Sequence, residues 1–326
     1  VSLNNGFASH HPESRPSWAV AVTPDGRYLT AAEWKAERLR SITATDLPVI
    51  CGLTGSRVKL YYHKQGDWPQ EDPETEQMWW GRYLEDGIRQ RWCTNTGETI
   101  PDDQRQVFMR HPDFEWLAAT LDALTVDGEP REWKATGLWG QDEEERGFKF
   151  DTDNPPAKWI VQAHGQMLVT GCDEVRFGVF YGPELALKEC SVKRNHDLAH
   201  YLLDLASDFR QAVIEHRQPV DFVAGDDRVL SVVYNRRTTG PALDWTNDAE
   251  LTESCRKFAE AKEAKKVWTK AYEVSRATLL SALKDSTRAI APGYLVTRSV
   301  AKNMATTVDV KLTDSTPQIT ATDIAA

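Results

Sequence analysis

The stretch from Thr120 to Lys134 constrains this chain more than any other. Asp127-Gly128 is a turn signal set between two runs that alternate in strand fashion. A tight two-residue loop there would pair Asp122 with Trp133 and send Asp122 and Glu132 to opposite faces. A three-residue loop, Val126-Asp127-Gly128, is a type I turn followed by a left-handed residue, a place where glycine is favoured. It sets Asp122 opposite Glu132. Strand side chains alternate faces. Thr120, Asp122, Glu132 and Lys134 then share one face, while Leu121, Ala123 and Trp133 point to the other, toward a core. Pro130 has no N–H to donate and suits an edge or bulged position just after the turn.

Two carboxylates and an ammonium on one face have a chemical use. Carboxylates are hard oxygen ligands for Mg²⁺, which usually takes one or two of them and keeps several waters. Such an ion lowers the pKa of a bound water and stabilises charge on a phosphoryl oxygen. A lysine beside it can orient that water. The pattern therefore suits phosphodiester hydrolysis, and a solvated charged hairpin face is the reading without chemistry.

The rest of the chain sets bounds. Its 326 residues suffice for one large domain or two modest ones. The net charge of -10 argues against a broad basic surface and leaves room for a local DNA-binding channel. Five cysteines with no C-x-x-C fit reduced thiols, not a disulfide, zinc or iron–sulfur framework. With no leader pattern and no apolar run of membrane-spanning length, the expectation is a soluble, cytoplasmic protein with no membrane partner.

Along the sequence, residues 1–30 read as an irregular arm, with one short strand near Trp18–Val22. Residues 31–40 read as a short helix that places Trp34 and Arg38 on one face. Thr45-Asp46 caps a second helix, Leu47 to Leu53, with Pro48 in its first turn, and a helix N-terminus beside an arginine makes an anion site. Trp80, Leu84 and Ile88 recur at helical spacing. Gly81 allows close packing there, and Glu85 lies at the edge of the stripe. Residues 135–154 read as a charged loop. A helix follows Pro155-Pro156 with Trp159, Gln162, Gln166 and Val169 in register, and His164 on it reads as structural. Arg176–Tyr181 reads as a core strand. Residues 197–217 form an amphipathic helix through Leu198, Tyr201, Leu202, Leu205, Phe209 and Val213. Residues 248–288 read as a long charged helix or helical hairpin, and 292–326 as a β-rich tail. The organisation is then an N-terminal arm (1–30), a core (31–220) and a C-terminal extension (221–326).

In this order the pieces resemble the phage λ exonuclease and YqaJ-type viral recombinase nucleases, of the PD-(D/E)XK superfamily. The resemblance covers roughly residues 31–215. It rests on Trp34-x-x-x-Arg38-x-x-x-Ile42-Thr43-Ala44-Thr45, Gly81-x-x-x-Glu85, Thr120-x-Asp122, Glu132-x-Lys134, and Trp159-x-x-Gln162 leading to Met167. It implies an α/β fold with a restriction-endonuclease-like core: a mixed central sheet flanked by helices, here with a helical and β C-terminal extension. It implies two Mg²⁺ ions, with Mn²⁺ able to substitute, and no iron–sulfur cluster. Asp122, Glu132 and the Trp133 carbonyl would bind metal, Glu85 would act indirectly, and Lys134 would position the attacking water. Arg38, Thr45, Thr120 and Gln162 would hold a DNA 5′-phosphate. The implied activity is 5′→3′ digestion of one strand from double-stranded DNA ends in phage-type recombination. The implied partners are further copies of the chain, as in a ring-shaped trimer, and a single-strand annealing protein. A DNA endonuclease on the same fold, or a catalytically weak DNA-binding protein, are the competing readings. Threonines replace the family's serines at 45 and 120, and His164 stands where a second glutamine is found.

Overall fold

Gly128 closes the hairpin with a left-handed backbone, φ +80°. The Gly128 N–H donates to the Thr125 carbonyl, and the Thr125 N–H to the Glu129 carbonyl. Ala123 pairs with Arg131 and Leu124 with Pro130. This is the three-residue loop, and it sets Asp122 level with Glu132. Pro130 is the first residue of its strand, where its missing N–H is tolerated.

The computed structural model describes residues 17, 19–68, 74–136, 155–234, 242–300 and 306–312. The charged loop expected over 135–154 lies almost wholly outside them. The chain divides into two units, residues 1–237 and 238–326.

The first unit is built on a mixed eight-stranded sheet. Its strands are β1 (Ala21–Val22), β2 (Tyr28–Leu29), β3 (Ile42–Thr43), β4 (Arg105–Arg110), β5 (Leu117–Leu124), β6 (Pro130–Thr136), β7 (Glu174–Tyr181) and β8 (Ala186–Lys193). They run in the order β2-β1-β4-β5-β6-β7-β8, with β3 also on β5. β1 lies parallel to β4, β3 to β5 and β6 to β7; the other pairs are antiparallel. The short strand expected near Trp18–Val22 is present as β1, whereas the sequence left β2 in the irregular arm. At two residues, β2 is too short to leave a periodic signal.

Helices cover both faces. They are α1 (Ala31–Leu39), α2 (Leu47–Ile50), α3 (Arg57–Gln65), α4 (Glu76–Thr96), α5 (Ala157–Thr170), α6 (His196–Ile214) and α7 (Asp226–Val233). α1 starts with a capping box, Thr30 and Glu33 satisfying each other's backbone N–H. α4 lays Ile88 and Trp92 on Ala123 and Trp133. α5 buries most of its residues, His164 and Gln166 included, and packs on β5, β7, α2 and α6. Gly165 makes that approach possible: a Cβ there would meet Leu47 Cδ1 at 2.6 Å and Ala44 Cα at 2.9 Å. By contrast, no described residue lies within 4 Å of a Cβ placed on Gly81, so the expected close packing is not seen among the described residues. α6 buries Leu202 and Phe209 as its pattern requires, but Tyr201 points outward. The first unit continues past residue 220, where α7 packs on α3.

In the second unit, residues 249–283 form one uninterrupted helix, α8 (Ala249–Leu283), not a hairpin. β9 (Arg288–Ala291), β10 (Tyr294–Val300) and β11 (Thr306–Leu312) follow as an antiparallel meander. No helix among the described residues is long and apolar enough to cross a membrane.

Candidate active site

One edge of β5 is shared. β3 occupies its N-terminal end, through Ile42–Leu117 and Thr43–Ala118, and β6 its C-terminal end, through Ala123 and Leu124. Between them the edge opens into a fork, and Thr120 and Asp122 stand at it. The Asp122 carboxylate takes over there from the ladder: its Oδ2 accepts the Trp133 N–H at 2.8 Å. In an extended strand the N–H and C=O of one residue leave by the same edge. The Trp133 carbonyl therefore shares the edge that faces Asp122.

Glu132 is 3% exposed and held on both oxygens. Lys134 Nζ donates to its Oε1 at 2.8 Å, Gln162 Nε2 to the same oxygen at 2.6 Å, and Gln166 Nε2 to its Oε2 at 2.6 Å. Lys134 also donates to Gln162 Oε1 at 3.0 Å. Both glutamines come from α5, one turn apart. Glu85 enters from α4. Gln106 Nε2 donates to Glu85 Oε2 at 3.0 Å and reaches Asp122 Oδ1 at 3.4 Å.

The electrostatics follow. Burial, then the neighbouring Glu132, pushes the Glu85 carboxyl up to about 7. Burial, then Glu132 and Glu85, raises Asp122 well above the usual carboxylate range. Among the described residues, the fork brings the buried Glu132 and the half-buried Glu85 and Asp122 together beside the Lys134 ammonium. A divalent cation relieves such crowding. The donor set suits it: carboxylate oxygens and a backbone carbonyl are hard ligands. Asp122, Glu132 and the Trp133 carbonyl are the groups that would hold Mg²⁺, with Glu85 and Gln106 behind them. Among the described residues no three His, Cys, Asp or Glu side chains form a closed ligand cluster. A Mg²⁺ site that takes one or two carboxylates and keeps its waters does not require one.

A second corner lies at the N-terminal end of the same strand. Trp34 Nε1 donates to Thr120 Oγ1 at 2.9 Å, and the Arg38 guanidinium lies 4.8 Å over the Trp34 ring. Arg38 Nη2 donates to the exposed Thr45 Oγ1 at 2.9 Å. Trp34 thus links Thr120 to Arg38 and Thr45, three of the four residues that the resemblance groups. Gln162 departs from that group: its amide is engaged by Glu132 and Lys134. The expected helix cap also fails. Asp46 makes no side-chain cap, and α2 is only four residues long. The carboxylate instead turns back to Thr43 and Lys64.

Sequence reasoning missed two residues here. Gln166 was placed on α5 without a role, and its spacing of four from Gln162 was the available signal. Its Oε1 is buried with no hydrogen-bond partner among the described residues. Gln106 had no signal. It sits on β4 in register with Asp122, with a left-handed φ of +50°, a costly state for a non-glycine residue. His164 is a core histidine. Its Nδ1 contacts the Ile160 carbonyl and its Nε2 accepts the Asn195 N–H, while burial lowers its pKa. All five cysteines are free thiols.

Residues 33–173 match the YqaJ-like viral recombinase domain. The YqaJ-like segment runs from α1 to the end of α5, and both corners of the site fall within it. The YqaJ protein of Bacillus subtilis strain 168, itself uncharacterized, is 23% identical over 227 residues, 67% of this chain and 68% of that protein. Among solved structures, an alkaline exonuclease from Laribacter hongkongensis is 21% identical, with a TM-score of 0.48 over 57% of this chain and 94% of that one. A phage-related exonuclease from Haemophilus somnus 129PT is 11% identical, with a TM-score of 0.38 over 54% of this chain and 96% of that one.

Proposed function

We propose that this chain is a Mg²⁺-dependent 5′→3′ exonuclease that degrades one strand of linear double-stranded DNA in phage-type recombination. The observation that carries this reading is the pairing of two corners on β5. One is a carboxylate fork with a lysine, and the other is a cationic corner with two hydroxyls two residues away. The match to a viral recombinase domain agrees with it, as do the exonuclease names of the structural neighbours.

The metal, when bound, supplies an activated water and stabilises phosphoryl charge. The chain's own groups do the rest. Glu132, clamped by Gln162 and Gln166, keeps one orientation. Lys134 Nζ, between Glu132 and Gln162, is set to orient a water and to offset charge on the phosphate. Arg38 offers a guanidinium with no carboxylate in contact among the described residues, and Thr45 and Thr120 add hydroxyls. These groups can hold a terminal 5′-phosphate. Thr120 and Asp122 are two residues apart on one strand, so their Cα atoms lie about 7 Å apart. A terminal phosphate at the first corner places the adjoining phosphodiester at the second. Removal of one nucleotide at a time follows.

The same reading takes Mn²⁺ as an alternative metal, a homo-oligomer such as a ring-shaped trimer, a single-strand annealing partner and the cytoplasm of a bacterial host. Size-exclusion chromatography with light scattering tests the oligomer. The activity is tested by Mg²⁺-dependent digestion of a 5′-phosphorylated linear duplex, a 5′-hydroxyl duplex and a closed circle, with Lys134→Ala as control. Rapid loss of the phosphorylated strand alone is expected. Cutting of the circle would make the protein an endonuclease.

A further inference from the structure

Lys64, on α3, takes no part in the site as described so far. Its Nζ is nearly enclosed and spends its three donors on three acceptors: the Arg38 carbonyl at 2.8 Å, the Ser41 carbonyl at 2.7 Å and Asp46 Oδ2 at 2.7 Å. The same Asp46 oxygen accepts the Thr43 N–H at 2.7 Å and the Thr43 hydroxyl at 2.8 Å. Thr43 Oγ1 and Thr45 Oγ1 are 2.9 Å apart. A hydroxyl has one proton, and that of Thr43 goes to Asp46. Thr45 is therefore the donor to Thr43. An ordered chain runs from the exposed Thr45 hydroxyl through Thr43 to Asp46, and Lys64 closes it onto the end of α1.

The charges matter as much as the bonds. Arg38, Asp46 and Lys64 lie within electrostatic range of one another. Together they sum to one positive charge. Without Lys64, the Asp46 carboxylate would cancel Arg38 and repel an anion arriving at Thr45.

We propose that Lys64 and Asp46 are positioning residues of the Arg38–Thr45 anion corner, Lys64 neutralising Asp46 and tying it to the carbonyl of Arg38. This rests on the reading of that corner as a terminal-phosphate site. The readout is the ratio of initial rates on 5′-phosphorylated and 5′-hydroxyl duplex ends, which cancels losses common to both.

Lys64→Met leaves Asp46 charged and is expected to lower the ratio about tenfold, the size of a charge-pair term near a protein surface. Asp46→Asn keeps the shape and removes the negative charge, and is expected to hold or raise the ratio. The double variant Lys64→Met/Asp46→Asn restores the net charge and is expected to recover most of the ratio lost by Lys64→Met. A purely structural role predicts the opposite pattern, with the double variant no better than either single one. If Lys64→Met does not fold, the Asp46→Asn and double variants still carry the test, and a fall in ratio with both overturns the proposal. A wild-type protein that does not distinguish the two ends overturns the phosphate-site reading itself. A discriminating wild type whose Lys64→Met variant keeps the full ratio overturns the positioning role alone.

Discussion

At the fork of β5, Glu85, Asp122 and Glu132 gather, among the described residues, around the Lys134 ammonium, with Arg82 also acting on Glu85. At the other corner, the Arg38 guanidinium meets a hydroxyl and an indole and, among the described residues, no carboxylate in contact. Among the described residues, the fork is richer in carboxylates and the corner in cationic groups. The fork is closed in by α4 and α5, while Thr45 stands exposed. A folded chain tolerates such surpluses where a ligand removes them. Under the proposed function, that difference means that a cation would complete the fork and an anion the corner.

The largest expected effect breaks the fork. Asp122→Asn or Lys134→Ala should lower Mg²⁺-dependent cleavage by at least about a hundredfold. Asn at 122 can still accept the Trp133 N–H, so the thermal midpoint should change little, and paired activity and melting measurements check both halves. Next, Arg38→Ala breaks the corner. It removes a charge-assisted contact, and should slow digestion of 5′-phosphorylated ends by about tenfold to a hundredfold. Hydroxyl ends should be slowed less, and equal loss on both would sink the corner as a phosphate site.

Gln106→Gly sharpens the comparison. The amide that reaches both Glu85 and Asp122 is lost, while a left-handed backbone costing about 1–3 kcal/mol is relieved. Activity should fall as the thermal midpoint holds or rises. Gly165→Ala acts between the corners. Its new methyl overlaps Ala44 and Leu47, pushes α5 away from the turn that presents Thr45, and should cost about 1–3 kcal/mol of stability. The smallest effect concerns pH. The raised Glu85 and Asp122 carboxyls bind protons more tightly folded than unfolded. Metal-free stability should therefore fall as pH rises from the ordinary carboxylate range through about 7. Added Mg²⁺ should raise the melting temperature more at pH 8 than at pH 5.

The hairpin was legible because two local rules, a glycine-bearing turn and the alternation of strand faces, admit one loop length when Asp122 and Glu132 must meet. The Trp34–Arg38 stack was legible for the same kind of reason, a spacing of four on one helix. What the sequence hid is non-local. Lys64 meets Asp46 across 18 positions, and nothing near either residue announces the pair. Gln106 departs from strand geometry because of what lies opposite it, not because of its neighbours in sequence. Gly81 was misread because a glycine in a helix signals close packing only if something lies against it. Tyr201 failed similarly: it lies at the margin of the apolar stripe of α6, and pattern alone does not say how far the core extends around a helix.

Thr120 and Asp122 occupy alternate positions of one strand, and this limits how such a chain can change over evolution. Inserting a single residue between them would turn one of the two side chains to the opposite face of the sheet. Inserting two would restore the facing but add about 7 Å. No series of small, individually tolerable insertions therefore leads from one spacing to another. If the corners hold successive phosphates, the length of the released product is inherited as a whole number, set by the pleat of a strand and shielded from gradual drift.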